Sequence, residues 1–207
     1  MENNKQKSTI LKDAIALFLI TLVAGLALGF VNEATKGPIQ ERKDKAKAEA
    51  YGAVFTTADS FTDKDEKYTD VEETSVDILA KAGITGVKIN EVLDANKGSE
   101  KEGYVMSVTC SEAFDGDIKI SVGIAADGTV QGMEVLESTE TAGLGQKASE
   151  PEFKDQFKGK KADSLEVTKD SPSDTQIQAI SGATITSKAV TKAVNAAIYY
   201  AANCTSN

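Results

Sequence analysis

The chain has 207 residues, with 23 lysine and arginine residues against 32 acidic ones and a formal net charge of −9. This acidic balance argues against nucleic acid as a partner, because nucleic-acid sites need basic surfaces. The chain contains no histidine and only two cysteines, Cys110 and Cys204. That composition excludes a Ser-His-Asp triad and any cysteine-rich zinc or iron–sulfur site built from this chain alone. We therefore expect the chemistry to come from a cofactor, and we expect Cys110 to be a buried thiol in a strand.

The first long apolar segment covers residues 14–31 and contains no charged residue and no proline. As a helix it would extend over about 27 Å, close to the thickness of a bilayer core. A secretory signal peptide is the alternative, since lysines precede the segment. However, the apolar run is longer than the usual signal-peptide core of about 7–15 residues. We predict a membrane anchor over residues 14–32.

The charges around this anchor do not decide its orientation, because lysine or arginine residues lie on both sides of it. Residues 1–13 form a short tail, and residues 33–55 are charged and alanine-rich, which predicts a helical stalk. Residues 1–36 carry four lysines and three acidic residues, so the remaining chain carries −10. Gly25 and Gly29 form a small-xxx-small pair that could pack against another helix.

Alternation of apolar and polar residues predicts four strands in the domain that follows, residues 56–207. Asp127-Gly128 is a typical hairpin turn between the last two. Connections this short cannot form parallel crossovers, so the strands are predicted to pair as an antiparallel meander. The four predicted strands are residues 86–93, 104–110, 117–124 and 129–136.

Helical spacing returns after the strands. Phe153 and Phe157 are four residues apart on a short predicted helix, and alanine, valine and isoleucine residues recur at helical spacing over residues 188–203. The predicted fold class is α+β: a single N-terminal transmembrane helix, then a domain with an antiparallel sheet and flanking helices.

The sequence SGATITS, residues 181–187, lies directly before this last helix. Free N–H groups and the positive end of the helix dipole attract phosphates at such a position. Gly182 permits a left-handed backbone and close approach, and Ser187 is predicted to be the N-cap. The simpler interpretation is that the loop only caps the helix. Neither a GxxxxGK[ST] nor a GxGxxG pattern is present.

SGATITS matches the S/T-G-A-T-x-T-S signature of the covalent FMN-binding domain. That domain occurs in the G subunit of Rnf complexes and in the C subunit of sodium-pumping NADH:quinone reductases. A second hallmark of the domain resembles E-T-P-G-L-G. Residues 140–145 match it with Ala142 in place of proline, and residues 150–157 match the segment expected next. The chain is thus similar to the family over nearly its whole length, and its length favours the Rnf G subunit.

The resemblance implies that FMN is attached by a phosphoester bond to Thr184. The other residues implied in flavin binding are Ser181, Gly182, Ala183, Thr186 and Ser187 in the first motif, and Glu140, Thr141, Gly143 and Leu144 in the second. The family implies neither a catalytic residue of its own nor a metal site. One departure is Gln178, three positions before Ser181, where the family usually has an acidic residue; Asp174 lies further back. Attachment could be less efficient if that carboxylate assists it.

The resemblance also implies partners and a location. An exported FAD-dependent flavin transferase would attach the FMN, because a threonine hydroxyl is a weak nucleophile and no base stands near it in sequence. The protein would carry electrons beside other membrane and redox subunits of an ion-translocating ferredoxin:NAD oxidoreductase. It would cross the plasma membrane once, with residues 1–13 in the cytoplasm and the C-terminal domain outside. The sequence leaves open whether Na⁺ or H⁺ is moved.

Two other functions remain as alternatives. The chain could be a membrane-anchored, non-redox binding or assembly module whose SGAT sequence is only a capped turn. It could also be a flavoprotein reductase with its own small-molecule substrate, although no nicotinamide-binding motif or general base supports this.

Overall fold

The computed structural model describes residues 2–63 and 68–204, with side chains from residue 12 onward. The chain divides into two compact units, of which the first ends at Lys45 and the second begins at Ala46. Residue 1 of the predicted tail and residues 64–67 and 205–207 of the predicted domain lie outside the described residues.

A single long helix, α1 (Glu2–Val54), contains both the predicted anchor and most of the predicted stalk, and it continues through Pro38. In the first unit its large apolar side chains are exposed; Phe30, for example, is 77% exposed. The helix is long and apolar enough to cross a membrane, by length and composition. No break marks the predicted boundary at residues 32 and 33, so this boundary stays a prediction.

The second unit contains a five-stranded antiparallel sheet in which the strands follow chain order. The predicted meander is confirmed, with longer strands and one additional edge strand that the sequence pattern did not indicate. Asp127 and Gly128 lie in the turn between the last two strands, as predicted. The strands are β1 (Ser60–Thr62), β2 (Val87–Lys97), β3 (Glu100–Ala113), β4 (Gly116–Ala125) and β5 (Val130–Ser138).

Helices and a small second sheet surround the meander. The predicted short phenylalanine helix is present, and Phe153 and Phe157 pack edge to face with ring centroids 5.5 Å apart. The elements are α2 (Val71–Lys81), a 3-10 helix (Gly145–Ser149), α3 (Pro151–Lys154), a second 3-10 helix (Asp155–Phe157), the parallel strands β6 (Glu166–Thr168) and β7 (Gln176–Gln178), and α4 (Thr184–Cys204).

The main core lies where α4 packs on β3 and β4. The buried positions of α4 include Val190, Ala193 and Ala197, and alanine allows the helix to lie close to the strands. Cys110 is fully buried in this core as a free thiol, as predicted, and burial raises its pKa.

The last residues of α1 and Phe55 cover part of the sheet's other face, where they form a second cluster with β2 and β3. Three glycines on β3, β4 and β5 make room for them. A Cβ at Gly123 would lie 2.5 Å from the Val54 carbonyl oxygen, and one at Gly132 would lie 3.1 Å from its Cα. Because these residues of α1 pack on the sheet, the second unit begins inside α1, at Ala46.

Tyr51 is buried in this second cluster, and its hydroxyl donates to the carboxylate of Glu91. Burial and this carboxylate raise the pKa of Tyr51 far above its usual value.

Candidate functional site

A cavity of about 580 Å³ lies beside the start of α4, within the usual size range of small-molecule and cofactor sites. Two loops form most of its wall. We call residues 180–187 the SGAT loop and residues 139–145 the facing loop. The turn between β3 and β4 contributes Phe114, and the chain before the SGAT loop contributes Lys169, Gln178 and Ala179.

The SGAT loop places Thr184 at the first position of α4, half-buried and lining the cavity. Gly182, just before it, has φ +78°, a left-handed conformation that glycine adopts without strain. The N–H groups of residues 184–186 belong to the first helical turn, where the helix itself offers them no acceptor. The loop thus presents a hydroxyl and a row of N–H donors to the same space.

Ser187 is not the N-cap, which corrects the sequence prediction. The helix begins three residues earlier, so Ser187 lies inside α4 and is fully buried. Its Oγ accepts the N–H of Ile180 at 2.9 Å and donates to the carbonyl of Ala183 at 2.9 Å. Ser187 therefore fixes the shape of the loop from behind and does not line the cavity.

Thr186 does line the cavity, although it is only 1% exposed. Among the described residues, no hydrogen bond joins its hydroxyl to another group, and the hydroxyl oxygen is not one of the buried side-chain atoms that lack a partner. The hydroxyl therefore opens into the cavity, where it is free to bond a polar group of a ligand.

The facing loop is organised around Glu140, which is 3% exposed. Its Oε1 accepts the N–H of Phe114 at 2.8 Å. Its Oε2 lies where a side chain on residue 145 would be, since a Cβ on Gly145 would approach it to 2.3 Å. Glu140 therefore joins the facing loop to the β3–β4 turn, and Gly145 must be small to allow this.

The two predicted motifs meet directly. A Cβ on Gly182 would lie 3.1 Å from Cδ2 of Leu144, so these residues pack against each other. Eight of the ten predicted site residues line the cavity: Ser181, Gly182, Ala183, Thr184, Thr186, Glu140, Thr141 and Leu144. Ser187 lies behind the wall, and Gly143, with φ +76°, lies on the far side of the facing loop.

The predicted site residues did not include seven residues that line the cavity: Phe114, Gly145, Lys169, Gln178, Ala179, Ile180 and Ile185. Ile185 could have been found, because it lies inside the SGATITS motif. Phe114 occupies a turn position where polar residues are usual, and this was an available signal. Lys169 gave no local signal, since only the fold brings the end of β6 to the cavity.

The residues present fit FMN. The first turn of α4, the Thr186 hydroxyl and the exposed side chain of Lys169 could bind a phosphate. The side chains of Leu144 and Ile185 could pack against a flat aromatic ring system. No group of metal-binding side chains is present within the described ranges.

Known proteins of similar sequence include flavin-binding and redox proteins. The FMN-binding domain family matches residues 114–199, a range that contains both loops. The G subunit of the Na⁺-translocating ferredoxin:NAD⁺ oxidoreductase complex of Acetobacterium woodii is 36% identical over 193 residues, covering 91% of this chain and 90% of the relative. The G subunit of the proton-translocating ferredoxin:NAD⁺ oxidoreductase complex of Clostridium ljungdahlii is 38% identical over 136 residues, covering 64% of this chain and 73% of the relative.

Among solved structures, the C subunit of the Na⁺-translocating NADH-quinone reductase from Parabacteroides distasonis has a similar fold, with a TM-score of 0.52. The match covers 82% of this chain and 96% of that chain at 22% identity. Identity this low supports the fold alone.

Proposed function

The chain belongs to the family of G subunits of ion-translocating ferredoxin:NAD⁺ oxidoreductase complexes, and from this we propose that it is a membrane-anchored electron carrier with FMN bound covalently to Thr184. The observation that carries the proposal is the convergence of two loops on one cavity. The SGAT loop and the facing loop, about forty residues apart in sequence, pack together at Gly182 and Leu144. A capped turn alone would need no such partner.

Each wall of the cavity has a role in this proposal. Thr184 supplies the attachment oxygen, and the N–H groups of residues 184–186 with the Thr186 hydroxyl hold the phosphate. Gly182 lets the backbone come close, and Leu144 and Ile185 pack against the ring. When bound, FMN supplies the electron-carrying chemistry, while the chain binds, orients and shields it.

Attachment requires a separate enzyme in this proposal. The ionisable side chains that line the cavity are Glu140 and Lys169, and Glu140 is already engaged with the N–H of Phe114. Neither is placed by a hydrogen bond to take a proton from Thr184. A flavin transferase that uses FAD would form the bond from Thr184 Oγ1 to the FMN phosphorus, with AMP as the leaving group. The half-buried position of Thr184 leaves its oxygen within reach of such an enzyme.

The domain carrying the cavity lies outside the cytoplasm in this proposal, and α1 anchors it to the plasma membrane beside other subunits of the complex. The apolar part of α1 supports the anchor, and the family supports the side. Protease added to intact spheroplasts should then digest the domain. Digestion only after lysis would place the domain inside the cell and contradict the proposal.

Covalent flavin is tested on the full-length chain, produced with and without a co-expressed FAD-dependent flavin transferase. We expect flavin fluorescence in the denatured gel band, and an intact mass increased by one FMN, only when the transferase is present. A colourless chain of unmodified mass under both conditions would instead favour the non-redox binding or assembly module.

A further inference from the structure

The rim of the cavity is unusually apolar for a surface of this acidic protein. In the described part of the second unit, the exposed large hydrophobic side chains are Val76, Phe114, Leu144 and Ile185. All except Val76 line the cavity. Single exposed apolar side chains are common, but a cluster around a cavity marks a binding site. Phe114 is the most exposed of the four, at 67%.

Phe114 lies in the two-residue turn between β3 and β4, since Ala113 pairs with Gly116 across it. Polar residues and glycine are usual in such turns. Gly116 fits this pattern, with φ +100°, whereas an exposed phenyl ring does not. The sheet needs no aromatic side chain there, because Phe114 is absent from both core clusters.

Two side chains hold this turn against the facing loop. The Glu140 carboxylate accepts the Phe114 N–H at 2.8 Å, and the Thr139 hydroxyl donates to the carbonyl of Asp115. A hydrogen bond to a carboxylate is shorter and stronger than one between neutral groups. The backbone of the turn is therefore held against the facing loop, and this places Phe114 at the cavity.

We propose that Phe114 contacts the isoalloxazine ring of the bound flavin, and that Glu140 is the positioning residue that holds Phe114 in contact. This inference rests on the proposed function, because it needs flavin in the cavity. An aromatic side chain packs against a flat ring system in an offset or edge-to-face arrangement and keeps water from that part of it. Phe114 would thus complete the apolar wall begun by Leu144 and Ile185.

The chain contains no tryptophan, which allows a direct test. Tryptophan quenches flavin fluorescence strongly when the two rings touch, because it donates an electron to the excited flavin. We would make Phe114→Trp in the full-length, flavin-loaded chain. Val76→Trp is the matched control, because Val76 is also exposed, at 46%, but lies on α2 outside the cavity.

We expect Phe114→Trp to lose more than half of the native flavin fluorescence per bound flavin, and Val76→Trp to keep the wild-type value. Denaturation should remove the difference, because it separates the rings. Equal native fluorescence in the two variants would overturn the contact. A wild-type chain without flavin would instead contradict the proposed function, so the two failures are distinguishable.

The role of Glu140 is tested in the Phe114→Trp background. Glu140→Gln keeps an oxygen acceptor for the turn and should retain the quenching, whereas Glu140→Ala should restore much of the fluorescence with flavin still attached. Quenching that persists undiminished in Glu140→Ala would overturn the positioning role. If Glu140→Ala does not fold, Glu140→Asp decides in the same background. It keeps the charge but withdraws the acceptor from the Phe114 N–H by one methylene, so the fluorescence should rise, and undiminished quenching would overturn the positioning role.

Discussion

The two loops that form the cavity are held in place in different ways. The SGAT loop is fixed locally, because Ser187 bonds both Ile180 and Ala183 within eight residues of chain. The facing loop has a local bond as well, from the Leu144 N–H to the Thr141 carbonyl, but Glu140 also joins it to Phe114, 26 residues earlier. One loop is held by its own helix, and the other is held in addition by the sheet.

The two loops should therefore respond differently to substitution. The SGAT loop carries the oxygen proposed to bind FMN, so a change in that side chain should leave the fold intact. The facing loop contacts both the β3–β4 turn and the SGAT loop, so a change there should alter how the flavin is held. Substitutions in each loop can test this difference.

The largest effect is expected from Thr184→Ala. The variant should lose all covalent flavin while the domain stays folded, because the side chain is half-buried and its truncation removes little packing. Intact mass and circular dichroism measure the two outcomes. Thr186→Ala is the comparison, since it removes the neighbouring buried hydroxyl but leaves the attachment oxygen. An FMN adduct that persists in Thr184→Ala would move the attachment site to another hydroxyl.

A smaller effect is expected from Ser187→Ala, which leaves the N–H of Ile180 without its acceptor. An unsatisfied buried donor costs about 1–3 kcal/mol, which corresponds to a fall in Tm of about 2–12 °C for a domain of this size. Flavin attachment should slow as well, because the loop loses its internal support. Ser164→Ala, at an exposed serine, should change neither quantity. An unchanged Tm in Ser187→Ala would show that the loop is not held locally.

Gly182→Ala tests the contact between the loops. Alanine in the left-handed region costs about 1–2 kcal/mol, and the new Cβ would press on Leu144 at 3.1 Å. Gly128→Ala is a matched control, since Gly128 has φ +85° with no atom near the added Cβ. Both variants should lose similar stability in denaturant titrations, but only Gly182→Ala should slow flavin attachment. Equal attachment rates would mean that the Gly182–Leu144 contact has no role in the site.

The smallest effect is expected from Gln178→Asp, which restores the acidic residue usual in the family. Gln178 lines the cavity, and its backbone N–H donates to Gln156 Oε1 at 2.7 Å, so the substitution leaves this backbone contact in place. Attachment should become faster by up to about tenfold, equivalent to about 1.4 kcal/mol in the barrier. Asp174→Asn should leave the rate unchanged, and a slower rate there would show that Asp174 already supplies the carboxylate.

The same contrast explains what the sequence could predict. The four long strands were predicted because alternation is a local pattern, and the Asp127-Gly128 turn joined two of them in the right order. The SGATITS motif was recognised by its resemblance to the FMN-binding domain, because its residues alone were equally consistent with a loop that only caps the helix. The edge strand β1 and the pair β6 and β7 have three residues each, too few for a pattern, and each forms only by pairing with another strand.

The errors have physical causes as well. Ser187 looked like an N-cap because serine before an apolar run usually is one, but α4 begins earlier, at Thr184. Phe114 was missed because its turn is joined to the cavity wall by a hydrogen bond to a loop 26 residues away. Helix α2 was not predicted, although its buried positions Val71, Ser75 and Leu79 are four residues apart; the polar residue in the middle obscures its apolar face.

One continuous helix, α1, meets two solvents: an apolar stretch suited to lipid on all sides, and final turns in which Tyr51 and Val54 are buried in protein while Gly52 and Ala53 are exposed. The first stretch is apolar all round, as a lipid-facing helix must be, and the final turns bury one face only. A larger residue at Gly123 or Gly132 would therefore act on the helix through the sheet and leave its membrane affinity unchanged. Hydropathy alone ends the anchor near residue 32, but the folded domain begins at Ala46, before the helix has finished.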